Sequence, residues 1–346
     1  MLRATFLSST YIREKQVPAQ RDLLVVVHIF GRSMSQKNIL KKFMAHTQRE
    51  GGGFVIRRPI GGRELSDEEA DPFLLLDELG PKDYRPGEFP GAPMHPHRGF
   101  DTVMHMLQGR CDHQDSMGNG GTLNAGDCQW MTAASGIEHD EGKNHPGGVL
   151  HGFQMWVNLP GSKKMKDPSY QDVPANAIPV IDINEFLSVK ILTGECAGTK
   201  AVIETDTPVQ YLDFRCKVGA SFTHPIPKDM DTCIVYVYHG SGTFNSVTAG
   251  DGETLLLGEG DVVTFECIKK LVQPVQGERG RGENVGNYQE DLRFLLLSGK
   301  KLKEPVARHG PFVMNTRAEL VQAFEDYQNG TLCKVKGAMK TFAART

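Results

Sequence analysis

The sequence has no C-x-x-C pair, no long apolar run and no excess of one charge. Its seven cysteines are scattered, which argues against zinc ribbons and disulfide frameworks and favours a reducing compartment. The longest mostly apolar run, residues 23–30, is far shorter than the roughly 20 residues of a membrane-spanning helix. A formal net charge of −3, from 39 basic and 42 acidic residues, argues against direct binding of nucleic acid or of a membrane.

These absences predict a protein of the cytoplasm, the nucleus or both. Residues 1–13, MLRATFLSSTYIR, are the exception, because they contain arginines and hydroxyl residues but no acid. That composition is similar to an organelle transit peptide, which remains the alternative localisation.

Glycine and proline divide most of the sequence into short segments rich in β-branched and aromatic residues. The 38 glycines and 19 prolines separate these segments in the way typical of antiparallel all-β proteins. The predicted strands include 54–58, 73–78, 101–108, 127–132, 153–158, 189–193, 209–217, 233–239, 254–257, 262–266 and 293–298. A helix is predicted at about 316–329, where Thr316 and Glu319 have the spacing of a capping box.

The chain is long enough for two domains, since 346 residues exceed the usual size of one hydrophobic core. A polar, proline-rich stretch at 159–179 predicts the boundary between them. We expect an N-terminal extension at 1–53, poorly ordered or a short helix, then a first domain at 54–165 and a second at 176–300. A C-terminal segment at 301–346 contains the helix. Both domains are expected to be antiparallel β-barrels of jelly-roll type.

Two pairs of residues in the first domain have the spacing of metal ligands. His95 and His97 flank Pro96, and side chains two residues apart leave the same face of a strand. Because proline cannot donate to a strand ladder, this segment must lie at a strand end, an edge or a bulge. His139 and Glu141 repeat the two-residue spacing. The sequence therefore predicts one metal site with three imidazoles and one carboxylate.

Other polar residues compete for places around this site. Asp101 is a rival carboxylate ligand because it closely follows His97. Asp140 adjoins the second pair, but strand alternation points it away from the face of His139. His105 has the strand parity of His97 and is a candidate for the cavity wall, although a packed or hydrogen-bonded histidine is the more usual outcome. We therefore treat Asp101, Asp140 and His105 as candidate neighbours of the ligands.

The proposed donor set is rich in nitrogen. Three imidazoles and a carboxylate suit a divalent transition metal such as iron, manganese, nickel, copper or zinc, and do not suit magnesium or calcium. Four protein ligands leave positions of an octahedral metal open to water, dioxygen or a chelating substrate. An open position indicates a reactive site rather than a purely structural one.

Longer motifs around these residues resemble the pirin family of the cupin superfamily. The resemblance is carried by HPHRGFDTV at 95–103, GDCQWMTAASGIEHDE at 126–141 and HGFQMWVNLP at 151–160. It continues in RRPIGGRE at 57–64, DPFLLLDELGP at 71–81 and GPFVMNTRAEL at 310–320. The sequence departs from the family pattern at Asp101, where pirins commonly have glutamate, and at Asp140, where they commonly have a small residue.

The resemblance implies a bicupin with one metal, usually iron, in its first domain only. Matched by position, the family's ligands fall on His95, His97, His139 and Glu141. The second domain is then a structural or partner-binding unit, and we expect the protein to be a monomer.

The resemblance also implies two functions, which the sequence does not separate. One is quercetin 2,3-dioxygenase activity, which opens a flavonol ring with dioxygen and releases carbon monoxide. Glu141 is the candidate general base for the flavonol 3-hydroxyl. The other is an iron-dependent redox sensor that acts as a transcription cofactor, because oxidation changes the charge at the metal. The expected partners are a flavonol-like small molecule and dioxygen in the first case, and transcription-regulator proteins in the second.

Overall fold

Strands dominate the residues that the structure describes. The structure is a computed structural model that describes residues 34–142, 145–267 and 291–333, and the backbone of 338–341. The transit-peptide-like residues 1–13 lie outside the described residues. Within the described part, no helix is long and apolar enough to span a membrane.

The first half of the described chain alternates short strands with tight turns. Its elements are β1 (Ile39–Met44), β2 (His46–Glu50), β3 (Phe54–Ile60), α1 (Asp67–Ala70), β4 (Phe73–Tyr84), β5 (Ala92–His97), β6 (Phe100–Gln108), β7 (Arg110–Asp115), β8 (Gly120–Asn124), β9 (Cys128–Thr132), β10 (Ile137–Glu141), β11 (Gly148–Asn158), a 3-10 turn (Gly161–Lys163) and β12 (Ser169–Val173).

The second half repeats the pattern and ends with a helix and a short strand. Its elements are β13 (Val180–Asn184), β14 (Leu187–Thr193), β15 (Glu195–Cys196), β16 (Thr199–Lys200), β17 (Val209–Cys216), β18 (Ser221–Pro225), β19 (Thr232–His239), β20 (Ser241–Phe244), β21 (Val247–Gly250), β22 (Glu253–Leu257), β23 (Val262–Glu266), β24 (Leu292–Gly299), β25 (Ala307–His309), β26 (Phe312–Met314), α2 (Arg317–Gln328) and β27 (Ala338–Thr341).

Four sheets form two sandwiches of jelly-roll type. The first sandwich has a large sheet in the order β2-β3-β4-β11-β6-β9-β12-β27 and a small sheet in the order β5-β10-β7-β8. The second has a large sheet in the order β1-β22-β19-β24-β17-β14-β13 and a small sheet in the order β18-β23-β20-β21. The predicted bicupin architecture is confirmed, with open sandwiches in place of closed barrels.

The two large sheets pack on one another. Their shared core contains Trp130, Phe153 and Val157 of the first sandwich together with Tyr236, Leu295 and Leu297 of the second. Because one face of the first large sheet is buried in this way, alternation along β11 leaves Gly152, Gln154 and Trp156 for the opposite face. That opposite face looks into the first sandwich, where the candidate site lies.

The interior of the second sandwich is filled by aromatic side chains. Phe265 and Phe294 have ring centroids 4.7 Å apart, and Phe214 stacks on Phe294 at 5.0 Å. The buried His224 has its Nδ1 3.6 Å from the thiol of Cys196. The absence of a metal from this half stays a prediction.

The structure differs from the expected domain boundaries at two places. Residues 39–50 of the expected extension form β1 and β2, in place of an irregular segment or a short helix, because they add to the edges of sheets in both sandwiches. The first sandwich runs beyond the expected end at residue 165, since β12 pairs with β9. The C-terminal helix is confirmed as α2, with Thr316 and Glu319 forming the capping box.

Candidate metal centre

Strands β5 and β10 bring the two predicted pairs of ligands together. They are antiparallel neighbours in the small sheet of the first sandwich, with His139 opposite His95 and Ile137 opposite His97. The register shifts between His139 and Glu141, which marks an irregularity in β10. Since residues opposite one another in antiparallel strands share a face, this pairing directs the histidines of both strands to the same side of the sheet.

The three imidazoles are close enough to hold one cation. One ring nitrogen from each of His95, His97 and His139 lies within 4.8 Å of the other two. The ring centroid of His95 is 4.6 Å from that of His97 and 4.5 Å from that of His139. Oε1 of Glu141 lies 3.9 Å from Nδ1 of His139. The three histidines therefore meet at one place, and Glu141 lies beside His139.

The buried ring nitrogens fit a cation. Among the described residues, Nδ1 of His97 and both ring nitrogens of His139 have no hydrogen-bond partner. Burial, followed by the neighbouring imidazoles, lowers the pKa of both histidines well below the usual value. Neutral imidazole is the form that binds metal. Nδ1 of His95 lies 2.8 Å from the carbonyl oxygen of Pro93, which leaves its Nε2 for a metal.

Glu141 adds a carboxylate in an environment that favours proton uptake. Its side chain is 13% exposed, and burial raises its pKa above the usual range, while His95 acts in the opposite direction. A cation in the site would offset the burial of this carboxylate. The arrangement can therefore bind a divalent metal and accept a proton from a ligand of that metal.

The turn after His97 seats the C-terminal segment on the site. Gly99 has φ +94°, and a Cβ there would collide with the carbonyl of Val313. The backbone N–H of Arg98 donates to the carbonyl of Pro311 at 3.4 Å, and that of Val313 donates to the carbonyl of Arg98 at 3.0 Å. A glycine at position 99 thus allows the β25–β26 hairpin to pack directly beside the ligands.

A cavity of about 840 Å³ opens beside the ligands. His95, His97 and Glu141 line one part of it, and the hairpin contributes His309 and Pro311. Its apolar wall includes Phe54, Leu79, Phe89, Met104, Met106, Leu150 and Trp156. A volume of this size holds a drug-sized molecule, and the mixture of apolar wall and few polar groups is typical of small-molecule sites.

The sequence and structure of this domain match those of known proteins. The family model described as Pirin matches residues 53–157, and that described as Pirin C-terminal cupin domain matches 271–333. A pirin-like protein of Solanum lycopersicum is 41% identical over 84% of this chain and 91% of its own length. The pirin of Homo sapiens is 39% identical over 85% of this chain and 93% of its own length.

The chain belongs to the pirin family. A crystal structure of a quercetin 2,3-dioxygenase from Acinetobacter baumannii is also similar to it, with a TM-score of 0.76 at 32% identity. The match covers 86% of this chain and 99% of that chain. The pirin match at 53–157 includes all four candidate ligands.

Two of the candidate neighbours, Asp101 and His105, lie away from the candidate metal centre. Asp101 and His105 are fully buried in β6, on the face that packs toward the second sandwich. Oδ2 of Asp101 accepts from Nε1 of Trp130 at 2.9 Å, and Nε2 of His105 lies 4.0 Å from Oδ2 of Asp213. Neither side chain is among those that line the cavity, because the turn at 98–99 moves the chain from the small sheet to the large one. A role of either residue as a neighbour of a bound metal stays a prediction.

Asp140 lies beside the site but outside the ligand set. Its Oδ2 accepts from Nε2 of Gln114 at 2.6 Å, so its carboxylate is engaged with the neighbouring strand. Its charge raises the pKa of Glu141 as a minor contribution after burial. Asp140 is therefore an electrostatic neighbour of the ligands, as strand alternation predicted.

Sequence reasoning missed the polar residues of the large sheet that face the cavity. Gln154 of β11 is opposite Asp77 of β4, and both line the cavity. Arg58 donates from Nε and Nη2 to the two carboxylate oxygens of Asp77, each at 2.7 Å. The available signal was the alternation of HGFQMWVNLP, which places Gln154 and Trp156 on one face.

Proposed function

We propose that the protein is a metal-dependent dioxygenase that opens the ring of a flavonol such as quercetin. The main support is the convergence of three imidazoles within 4.8 Å at the wall of a cavity of about 840 Å³. The similarity to a solved structure described as a quercetin 2,3-dioxygenase supports the choice of reaction.

His95, His97, His139 and Glu141 would hold the metal, for which we propose iron. A divalent metal held by these residues would supply Lewis acidity and a redox-active centre for the flavonol and dioxygen. Manganese, nickel, copper and zinc are the alternatives that the same donor set accepts. Metal analysis of protein purified without added metal, combined with spectroscopy of its oxidation state, tests this assignment.

Glu141 is proposed to remove the proton of the flavonol 3-hydroxyl. Its Oε1 lies 3.9 Å from Nδ1 of His139, which places a carboxylate within reach of a group bound at the histidines, as a general base requires. Glu141 would accept that proton through a carboxylate oxygen that does not hold the metal.

The aromatic residues beside His97 are proposed to exclude water from the reacting atoms. The ring centroid of Trp156 lies 5.4 Å from that of His97, and that of Phe100 lies 5.2 Å from it. Apolar walls of this kind strengthen electrostatic interactions in the site, because little solvent remains to screen them.

Oxygen consumption with quercetin tests the reaction. We expect turnover by the purified protein, loss of turnover in His97→Ala, and a fall in kcat of about 10² to 10⁴ in Glu141→Gln. Glu138→Gln is the matched control, since Glu138 lies on the same strand but accepts from Cys333. Protein that binds metal but consumes no dioxygen with quercetin contradicts the proposal and favours the redox-sensing co-regulator.

A further inference from the structure

The cavity has a polar patch away from the metal ligands, in the middle of an otherwise apolar wall. It is formed by Gln154, Asp77 and Arg58, which we call the distal patch. Gln154 lies opposite both Asp77 of β4 and Met104 of β6. Side chains that are directly opposite in neighbouring strands share a face at close range, so Gln154 and Asp77 project together into the cavity.

The distal patch presents hydrogen-bond acceptors to the cavity. Oε1 of Gln154 is buried and has no partner among the described residues. Both oxygens of Asp77 accept from Arg58, and each keeps lone-pair capacity for a second donor. The Arg58 guanidinium is also held by Glu50 at 2.8 Å. A buried acceptor without a donor is unfavourable, so this patch suits a ligand that brings hydrogen-bond donors.

The charge of the patch restricts the chemical class of that ligand. Two carboxylates, Asp77 and Glu50, surround the single guanidinium of Arg58. An anionic group at the same place would be repelled by these carboxylates. Neutral hydroxyl groups donate without adding charge. The neighbouring side chains Leu79, Met104 and Met106 favour an aromatic ring, because the thioether of methionine makes favourable contacts with ring edges.

The position of the patch suits the far end of a ligand that reaches the metal. Trp156, whose ring contacts that of His97, is two residues after Gln154 on β11. Two residues of a strand span about 7 Å. Gln154 and the candidate metal ligands His95, His97 and Glu141 line the same cavity, so an elongated ligand held at the metal can extend towards the distal patch.

We propose that Gln154, supported by the Arg58–Asp77 pair, selects polyphenols with hydroxyl groups on the ring remote from the metal. This inference rests on the proposed function only in placing a flavonol at the metal. Gln154 is then a specificity-determining residue, which accepts a hydrogen bond from the remote ring and takes no part in the oxidation.

Two flavonols that differ only in their pendant ring test the proposal. Quercetin carries two adjacent hydroxyls on that ring and galangin carries none, while both have the 3-hydroxyl. We expect metal-containing protein, titrated without dioxygen, to bind quercetin about tenfold more tightly than galangin, the effect of one good hydrogen bond. In Gln154→Leu the ratio of the two dissociation constants should fall to about one, with galangin binding retained.

Two further variants separate loss of the acceptor from disturbance of the cavity. Gln154→Glu keeps an acceptor oxygen and should keep the preference for quercetin. Gln154→Met removes the acceptor at nearly constant side-chain volume and should lose the preference. The proposal is overturned if Gln154→Leu still prefers quercetin, or if the unaltered protein binds both flavonols equally.

Activity measurements keep this inference distinct from the proposed function. Discrimination between the two flavonols without oxygen consumption contradicts the dioxygenase and supports the distal patch. Turnover of both flavonols with equal dissociation constants supports the dioxygenase and overturns the distal patch. If neither flavonol binds, both proposals are contradicted.

Discussion

Arg98, the residue after His97, donates from Nη1 to Oδ2 of Asp326 in α2 at 2.8 Å. Its Nε also donates to the carbonyl of Ser135 at 2.6 Å. The side chain of Arg98 is 1% exposed and that of Asp326 is 12% exposed, so this is a buried ion pair. It ties a strand that carries two candidate metal ligands to the C-terminal helix, far away in the sequence.

We expect Arg98→Met to destabilise the protein strongly. Removing one partner of a buried ion pair leaves the other charge uncompensated and costs about 3–5 kcal/mol. Urea unfolding measures this change, and metal content reports the effect on the neighbouring ligands. Lys303→Met is the control, because its ion pair with Asp231 is 69% and 39% exposed and should contribute about 1 kcal/mol or less. Equal effects of the two substitutions would contradict the structural role of Arg98.

Substitution of two adjacent lysines by methionine should lower the free energy of unfolding by very different amounts. Lys164 is 1% exposed, and its Nζ donates to Gly99 O at 2.7 Å, Asn158 Oδ1 at 2.5 Å and Val313 O at 3.1 Å. Lys164→Met leaves these acceptors without their donor, so we expect a loss of about 3 kcal/mol or more in the free energy of unfolding.

Lys163 provides the matched control for that measurement. Its side chain is 45% exposed and pairs with Asp206, so Lys163→Met should cost about 1 kcal/mol or less. If both variants unfold at the same urea concentration, the bonds of Lys164 do not contribute as the structure indicates.

The burial of Asp101 predicts that the stability of the protein depends on pH. Burial, opposed by bonds from Trp130 and Thr132, raises its pKa from 3.8 to about 7. A raised carboxyl pKa means that the folded state binds the proton more tightly, so this group's contribution decreases as pH rises from about 4 to about 7. We expect Asp101→Asn to remove this decrease. The free energies of unfolding of the variant and of the unaltered protein should be closest near pH 4.

Unfolding by urea at several pH values between 4.5 and 7.5 measures the effect. Each unit of pKa shift corresponds to about 1.4 kcal/mol, so the difference between the two proteins should reach a few kcal/mol at the upper end. Asp229→Asn changes an exposed carboxylate and should leave the profile parallel to that of the unaltered protein. A pH profile of Asp101→Asn that is also parallel to that of the unaltered protein would contradict this prediction.

Removal of the metal should lower the melting temperature of the unaltered protein and leave that of a ligand variant unchanged. A metal that binds only the folded state raises the melting temperature, so a chelator should lower Tm in the unaltered protein. His139→Ala should lose metal affinity by about 100-fold or more and show no chelator effect. His46→Ala, whose side chain is 65% exposed, should behave as the unaltered protein. A chelator effect that survives in His139→Ala would place the metal elsewhere.

Local spacing was sufficient to predict the four candidate ligands. The pairs of His95 with His97 and of His139 with Glu141 follow from strand alternation, which acts over two residues. The parity that linked His105 to His97 does not hold across the turn at 98–99 between two sheets, and Asp101 was selected by its position soon after His97. Alternation predicts a shared face only within one strand.

Contacts between distant segments were beyond the sequence reasoning. The positions of Pro311 and Asp326 beside the ligands depend on how the C-terminal segment returns to the first sandwich. The distal patch depends on the register of β4 with β11, which pairs Asp77 with Gln154. Register arises from the packing of whole sheets, so one sequence without the fold does not determine it.

Each half of the molecule is completed by a strand from the opposite end of the chain. β1 pairs with β22 of the second sandwich, and β27 pairs with β12 of the first. A polypeptide cut within the connection at 174–179 would therefore yield two fragments that each carry the other's terminal strand. Because an uncovered strand edge is a template for pairing with other chains, such fragments should complement one another when produced together and aggregate when produced alone.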